Sequence, residues 1–290
     1  MESHVVSPIP PDLKISTITA VGSLNSFLDL DIVFDCCPLV PPDHATSGVV
    51  HVEYGKTKHE LRQRGVRVEN TFAVSCGKRR RERKHHFDNQ ATLLYRIVDL
   101  LYPQPVVVNI KVFRNGNMQI TGLRRVEQGQ QAIQDVYEMV RDIAKDHPAV
   151  VESPDAFRAS SFRVCMINSD FRAGFSIKRK SLYDILTKDH PDMACSYEPC
   201  IYPGVKIKFM WSQLNQSSNQ GVCRCGANRC RGKGFGRAIG DCRKITIAVF
   251  QSGCIIITGS HSYQQLNDAY AFITGVLHVN KAAVSTHAAL

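Results

Sequence analysis

The chain has no stretch approaching the roughly 18 continuous apolar residues that a membrane helix requires. Its first residues, MESHVVSPIPPDLK, lack the basic-then-apolar layout of a secretory signal. Both absences argue against a secreted or membrane-spanning protein. Eleven cysteines, an odd number in 290 residues, then read as reduced thiols of an intracellular chain rather than as a disulfide scaffold. Tryptophan is nearly missing, and the single Trp211 reads as a packing or loop-tip residue. Acidic residues are also scarce: 26 Asp plus Glu stand against 36 Lys plus Arg, a net charge of +10. That imbalance favours a polyanionic partner such as nucleic acid. With 43% hydrophobic and 21% charged residues an ordinary core is available, and the length suits one large domain or two similar halves.

The second alternative is supported by an internal repeat. Residues 109–140, NIKVFRNGNMQITGLRRVEQGQQAIQDVYEMV, align without a gap on residues 246–277, TIAVFQSGCIIITGSHSYQQLNDAYAFITGVL. The identities are Ile110/Ile247, Val112/Val249, Phe113/Phe250, Gly116/Gly253, Ile120/Ile257, Thr121/Thr258, Gly122/Gly259, Gln128/Gln265 and Ala132/Ala269. A shared V-F-x-x-G-x-x-x-I-T-G frame at this constant offset marks a duplication. Each copy predicts a strand, a tight turn at Asn115-Gly116 or Ser252-Gly253, a second strand and an amphipathic helix. The helix can cover only one face of its hairpin. The other face carries Asn109, Lys111, Phe113, Gln119 and Thr121 in the first copy, and Thr246, Ala248, Phe250, Ile256 and Thr258 in the second. A large Phe on an uncovered face points to a contact surface, unless a loop or another chain covers it.

Upstream, Tyr202 to Phe209 alternates as a strand, and Gly48 to Tyr54 is its expected counterpart at an offset of 156. Strands over Leu13 to Ala20 and Phe162 to Asp170 open the two copies, each followed by a short helix. The predicted organisation is a flexible tail at 1–11 and a first repeat at 12–146 with a basic insertion at about 57–88. A junction follows at 147–157, then a second repeat at 158–280 with a Cys-rich insertion at about 212–243, and a tail at 281–290.

With these residues in view, the chain resembles the TATA-box-binding proteins. SYEPCIYPGVKIKF at 196–209 followed by IAVFQSGCIIITG at 247–259 is similar to the family's second direct repeat, and NIKVFRNGNMQITG at 109–122 to the equivalent strand pair of the first. The insertions resemble those of divergent versions encoded by large DNA viruses. The resemblance implies an α+β fold in which two pseudo-symmetric repeats form one curved, saddle-shaped antiparallel sheet with helices on the convex face. It also implies that the concave face binds and bends DNA through the minor groove, with aromatic wedges between base steps. Phe113, Phe250 and Tyr202 match the family's wedge positions. The remaining wedge position of the first repeat falls on Thr46, which cannot act as one. Leu13 and Val164 stand where the family has a symmetric Asn pair. Lys208 and Arg124 match basic groove flanks, and Lys111 and Gln119 replace apolar groove contacts, where they can donate to the acceptors of an A·T minor groove.

Other features compete. The run GKRRRERKHH supplies Lys78, Arg79, Arg80, Arg81, Arg83 and Lys84, which read as a phosphate-contacting arm or a nuclear import signal, or else as a solvated loop. Cys223, Cys225, Cys230 and Cys242, spaced C-x-C-x4-C-x11-C, are candidate structural zinc ligands or else free thiols. Gly232 to Gly236 lacks the spacing and the following Ser or Thr of a phosphate loop, and no nucleophile–base constellation is legible.

The resulting expectation is a non-enzymatic, general initiation factor that needs no cofactor, with zinc in the Cys-rich insertion as an option. Its expected partners are double-stranded, A·T-rich promoter DNA, a TFIIB-like factor and an RNA polymerase, with no membrane. It is expected to be a monomer acting in the nucleus or the viral factory of an infected cell, and open to packaging in the virion. The competing expectation is a protein-interaction scaffold of the same fold that has lost DNA bending.

Overall fold

In the computed structural model, residues 9–41, 45–55, 60–67, 89–101, 104–213, 221–223, 225, 230, 234 and 242–286 are described. They fall into two compact units. The N-terminal unit is Thr17–Val164; the C-terminal unit runs from Cys165 onward and includes the residues up to Ser16.

The N-terminal unit contains most of β1 (Lys14–Ser23), α1 (Leu30–Cys36), β2 (Gly48–Tyr54), β3 (Arg62–Gly65), β4 (Gln90–Ile97), β5 (Val106–Phe113), β6 (Asn117–Leu123) and α2 (Val126–Asp146). Its strands lie in the antiparallel order β3-β2-β4-β5-β6-β1. Alternation decides which side is core. Val108, Ile110, Val112 and Ile120 are fully buried and face the helices, where α2 contributes Ala132, Ile133, Val136 and Val140. Burial of each such side chain stabilises the fold by about 1.5–3 kcal/mol. The short α1 begins at Asp29, whose carboxylate accepts from the N–H groups of Asp31 (2.9 Å) and Ile32 (3.2 Å).

The C-terminal unit contains most of β7 (Ser160–Arg172), α3 (Arg179–Asp189), β8 (Ala194–Ser196), β9 (Val205–Trp211), β10 (Arg243–Val249), β11 (Cys254–Ser260), α4 (Tyr263–Val279) and α5 (Lys281–Val284). Its order is β7-β11-β10-β9-β8, again antiparallel. Ile245, Ile247, Val249, Ile255 and Ile257 are fully buried on the side of α4, which supplies Leu266, Ala269 and Ile273. Each unit is thus an α+β layer pair.

The repeat identities have structural causes. Gly116 and Gly253 hold φ of +76° and +77°, and a Cβ on either would lie 2.2 Å from a backbone oxygen, that of Ser26 or Phe175. Gly122 and Gly259, at φ of +98° and +94°, sit where the pairing with β1 or β7 skips one residue. A bulge of this kind favours glycine.

The register corrects two expectations. In β4, Leu93 pairs with Ile110 of β5, just as Ile207 of β9 pairs with Ile247 of β10. The counterpart of β9 is therefore β4, at an offset of 114, and β2 stands one strand further out, where β8 stands in the other unit. Alternation told which face of β2 is buried, not which neighbour it has. Likewise Ile18 pairs with Leu123 and Ile167 with Ser260, so β1 and β7 correspond at an offset of 149. Leu13 and Val164 are consequently not an equivalent pair.

The stretch 147–157, expected as the junction between the copies, is ordered. It forms two 3-10 turns, buries Val150 and Val151, and bridges Val151 to Leu28. The expected tail after Asn280 is pinned as far as Thr286. Val284 is fully buried, its carbonyl accepts from the N–H of Lys178 at 2.7 Å, and the N–H of Thr286 donates to the carbonyl of Ser176 at 2.9 Å.

Candidate nucleic-acid interface

On the C-terminal unit, the face turned away from α4 carries Lys206 and Lys208 of β9, Thr246 and Ala248 of β10, and Ile256 and Thr258 of β11. Ala248 is 4% exposed, Lys208 is exposed, and the others are half-buried. Thr258 donates its hydroxyl to the side-chain oxygen of Asn168 at 2.6 Å.

At the end of these strands the rings of Tyr202 and Phe250 stand 5.8 Å apart at 55°, both half-buried. Local backbone explains the pair. The N–H of Phe250 donates to the carbonyl of Cys254, which closes the hairpin, and the N–H of Tyr202 donates to the carbonyl of Glu198. Gly204 lies beneath both rings, where a Cβ would sit 3.0 Å from Tyr202 Cε1 and 3.2 Å from Phe250 Cε1. The ammonium of Lys206 is 3.7 Å from the Tyr202 ring centroid, a close cation–π contact. Arg179 reaches the Pro203 carbonyl and, at 2.9 Å, the Gln251 side chain, tying the two turns together.

On the N-terminal unit Phe113 ends β5, half-buried, on the same face as Asn109 and Lys111. Lys111 pairs with Gln119 and Asn109 with Thr121 across the hairpin. Phe113, Asn117 and Gln119 line one open pocket with Asn25, Ser161 and Arg163. Further along this face exposure falls: Thr92 and Arg96 of β4 are 8% and 7% exposed, and His51 of β2 is 3% exposed. Among the described residues, Arg96 Nη1 and both ring nitrogens of His51 have no hydrogen-bond partner.

Several expected contacts move. Arg124 is 9% exposed, too buried for an open phosphate contact; its backbone N–H donates to Gln128 Oε1 at 3.0 Å. Leu13 is 4% exposed and precedes β1, and Val164 is half-buried in β7. With β4 as the counterpart of β9, the first-repeat position matched to Tyr202 moves from Thr46, an exposed residue before β2, to 88. Position 88 lies outside the described residues, as do Lys78, Arg79, Arg80, Arg81, Arg83 and Lys84. Trp211 packs, at 8% exposure, with its indole N–H donating to Asp268 at 2.6 Å. Lys206, Gly204 and Asn168 were missed by sequence reasoning, and the Y-P-G-x-K spacing of residues 202–206 was the one signal for the first two.

The four candidate metal ligands come together. The Sγ atoms of Cys223, Cys225, Cys230 and Cys242 all lie within 4.8 Å of one another, a set able to hold a metal ion. Among the described residues no helix is long and apolar enough to cross a membrane.

These sites define a paired α+β protein with aromatic side chains on the sheet faces that the helices leave open. Residues 162–279 match the family described as "Transcription factor TFIID (or TATA-binding protein, TBP)". A "TATA-box-binding protein-like" protein of Acanthamoeba polyphaga mimivirus is 28% identical over 275 residues, 92% of this chain; the chain spans 65% of that relative's length. The solved structure of Methanococcus jannaschii TBP matches with a TM-score of 0.47 at 15% identity, covering 93% of this chain and 99% of that one. The chain is thus similar to the TBP-like proteins, through a family match over residues 162–279 and the mimivirus relative.

Proposed function

We propose that the chain is a virus-encoded initiation factor that binds A·T-rich promoter DNA in the minor groove, bends it, and presents the bent duplex to a TFIIB-like factor and an RNA polymerase. It acts without catalysis, in the nucleus or the viral factory. The observation that carries this reading is the Tyr202–Phe250 pair, 5.8 Å between ring centroids, on a face shared with Lys206 and Lys208. Two adjacent rings can enter one base step, and the energy of unstacking, a few kcal/mol, is offset by the extra surface that bent DNA contacts. Phe113 supplies the matching ring on the N-terminal unit, where Lys111 and Gln119 add donors for the acceptors of an A·T groove. The Lys and Arg residues of the insertion at 78–84 add phosphate contacts.

A protein-interaction scaffold is the second reading, favoured by the burial of Thr92, Arg96 and His51, which removes part of the N-terminal unit's face from groove contact. Duplexes labelled at both ends, one A·T-rich and one G·C-rich, separate the two. Preferred binding of the A·T duplex with shortened end-to-end distance is expected at about 50 to 200 mM salt, the range over which phosphate contacts show their salt dependence. Equal and steeply salt-sensitive binding of both duplexes without shortening would leave the scaffold.

A further inference from the structure

The connection between β9 and β10, residues 212–242, has only Leu214, Val222, Phe235 and Ile239 as large apolar side chains, too few to fold around. It nevertheless gathers four cysteines. The Sγ atoms of Cys223 and Cys230 are 3.2 Å apart, those of Cys230 and Cys242 3.0 Å, and those of Cys242 and Cys223 3.3 Å. Cys225 completes a set lying wholly within 4.8 Å. A tetrahedron of zinc–sulfur bonds of about 2.3 Å has edges of about 3.8 Å, so small shifts would accommodate the ion.

The backbone is arranged to deliver these side chains. Gly221 and Gly234 adopt φ of +76° and +68°. The Gly221 carbonyl accepts from the N–H of Met210 at 2.7 Å, and the Gly234 carbonyl from the N–H of Lys244 at 3.1 Å. A Cβ on Gly221 would lie 2.5 Å from the Phe209 ring, and one on Gly234 2.4 Å from Lys244 Cβ. The connection is therefore docked on the sheet at both points. Cys230 and Cys242 are buried and pack with Met210, while Cys223 and Cys225 are partly buried against them. The N–H of Cys242 donates to Cys225 Sγ at 3.3 Å. Thiols are weak donors and weak acceptors, so four of them in one place bring little cohesion of their own.

We propose that Cys223, Cys225, Cys230 and Cys242 bind one Zn²⁺ as a closed, structural tetrathiolate that takes the place of an apolar core in the β9–β10 connection. Binding displaces four thiol protons and changes no oxidation state. Four sulfur donors fill the tetrahedron and leave no position for substrate, so the site is structural. The resulting double negative charge is flanked in sequence by Arg224, Arg229, Arg231 and Arg243.

The test is metal analysis of the full chain purified without chelator, followed by Co²⁺ exchange. The expected result is one zinc per chain, and on exchange the intense visible bands of tetrahedral, all-sulfur Co²⁺. Cys242→Ser is expected to lose the metal, whereas Cys200→Ser, at an exposed cysteine outside the cluster, keeps it. Should Cys242→Ser not fold, the Co²⁺ spectrum of the unaltered chain decides between all-sulfur and mixed ligands. A reduced chain that takes up no Zn²⁺, a chain carrying iron instead, or two disulfides among these four cysteines would each overturn the proposal. DNA bending is a separate readout and does not enter.

Discussion

Tyr202 and Phe250 come from different turns of the C-terminal unit, yet their rings meet at 5.8 Å over a glycine that leaves room for both. Phe250 is fixed by its hairpin, Tyr202 by the turn before β9, and Lys206 lies on the Tyr202 ring. The pair is a built element rather than two stray aromatics.

Removing half of it should separate binding from folding. Phe250→Ala is expected to weaken duplex binding by about 1–3 kcal/mol, the range for losing an aromatic that stacks on a base, and to abolish most of the bending. Gly204→Ala is expected to give a smaller loss, because its Cβ would press on both rings at 3.0 and 3.2 Å. End-to-end energy transfer on a labelled duplex reads bending, and circular dichroism checks that the fold survives.

At the offset of 114 between β4 and β9, the residue matched to Tyr202 is position 88, beside Phe87 in sequence, and not Thr46. We expect Phe87→Ala to reduce bending at the Phe113 end of the site and Thr46→Ala to leave it unchanged. Equal effects of both substitutions, measured in the same assay, would return the position to β2.

Gln128 and Gln265, identical across the repeat, do the same work. Gln128 Oε1 accepts from the N–H groups of Arg124 (3.0 Å) and Arg125 (3.1 Å), and Gln265 Oε1 from that of His261 (2.8 Å). Both side chains are buried. Alanine at either position strands backbone donors at a cost of about 1–3 kcal/mol. Gln128→Ala should cost more, since its amide also donates to Asp99 at 2.9 Å. Denaturant midpoints at constant slope would measure the difference.

Asp99 makes that helix start sensitive to acid. The N–H of Leu101 first, then Gln128 and Arg125, hold its carboxyl below the ordinary aspartate value, against the opposing effect of desolvation. A carboxyl depressed in the folded state stabilises it above the unfolded pKa, about 3.9, and that contribution disappears as pH falls through the lower folded value. Asp99→Asn should therefore lose stability at neutral pH and show a shallower fall in melting temperature below about pH 4.

Much of this was legible in the sequence, and the limits have physical causes. The period-2 alternation around Phe113 and Phe250 identified the open faces because burial of Ile110, Ile120, Ile247 and Ile257 requires it. The same alternation said nothing of neighbours, so β2 was matched with β9 although β4 is the strand beside β5. Arg124 was matched to a basic groove flank through the family resemblance, and only tertiary packing, which sequence does not show, buries it. The cysteine spacing was ambiguous on its own. Its meaning depends on Gly221 and Gly234, whose left-handed backbone turns an open loop back on the sheet.

The grouping of the residues up to Ser16 with the C-terminal unit has a consequence for biosynthesis. Asp12 accepts a hydrogen bond from Tyr270, 258 positions later, and Ser16 donates to Asp170, 154 positions later. At about 5–20 residues per second, the ribosome delivers Tyr270 about 13 to 50 seconds after Asp12. The segment holding Asp12 and Ser16 is thus made well before the residues it bonds to, and waits for them. A nascent chain stalled before α4 would leave that segment open to chaperones and proteases.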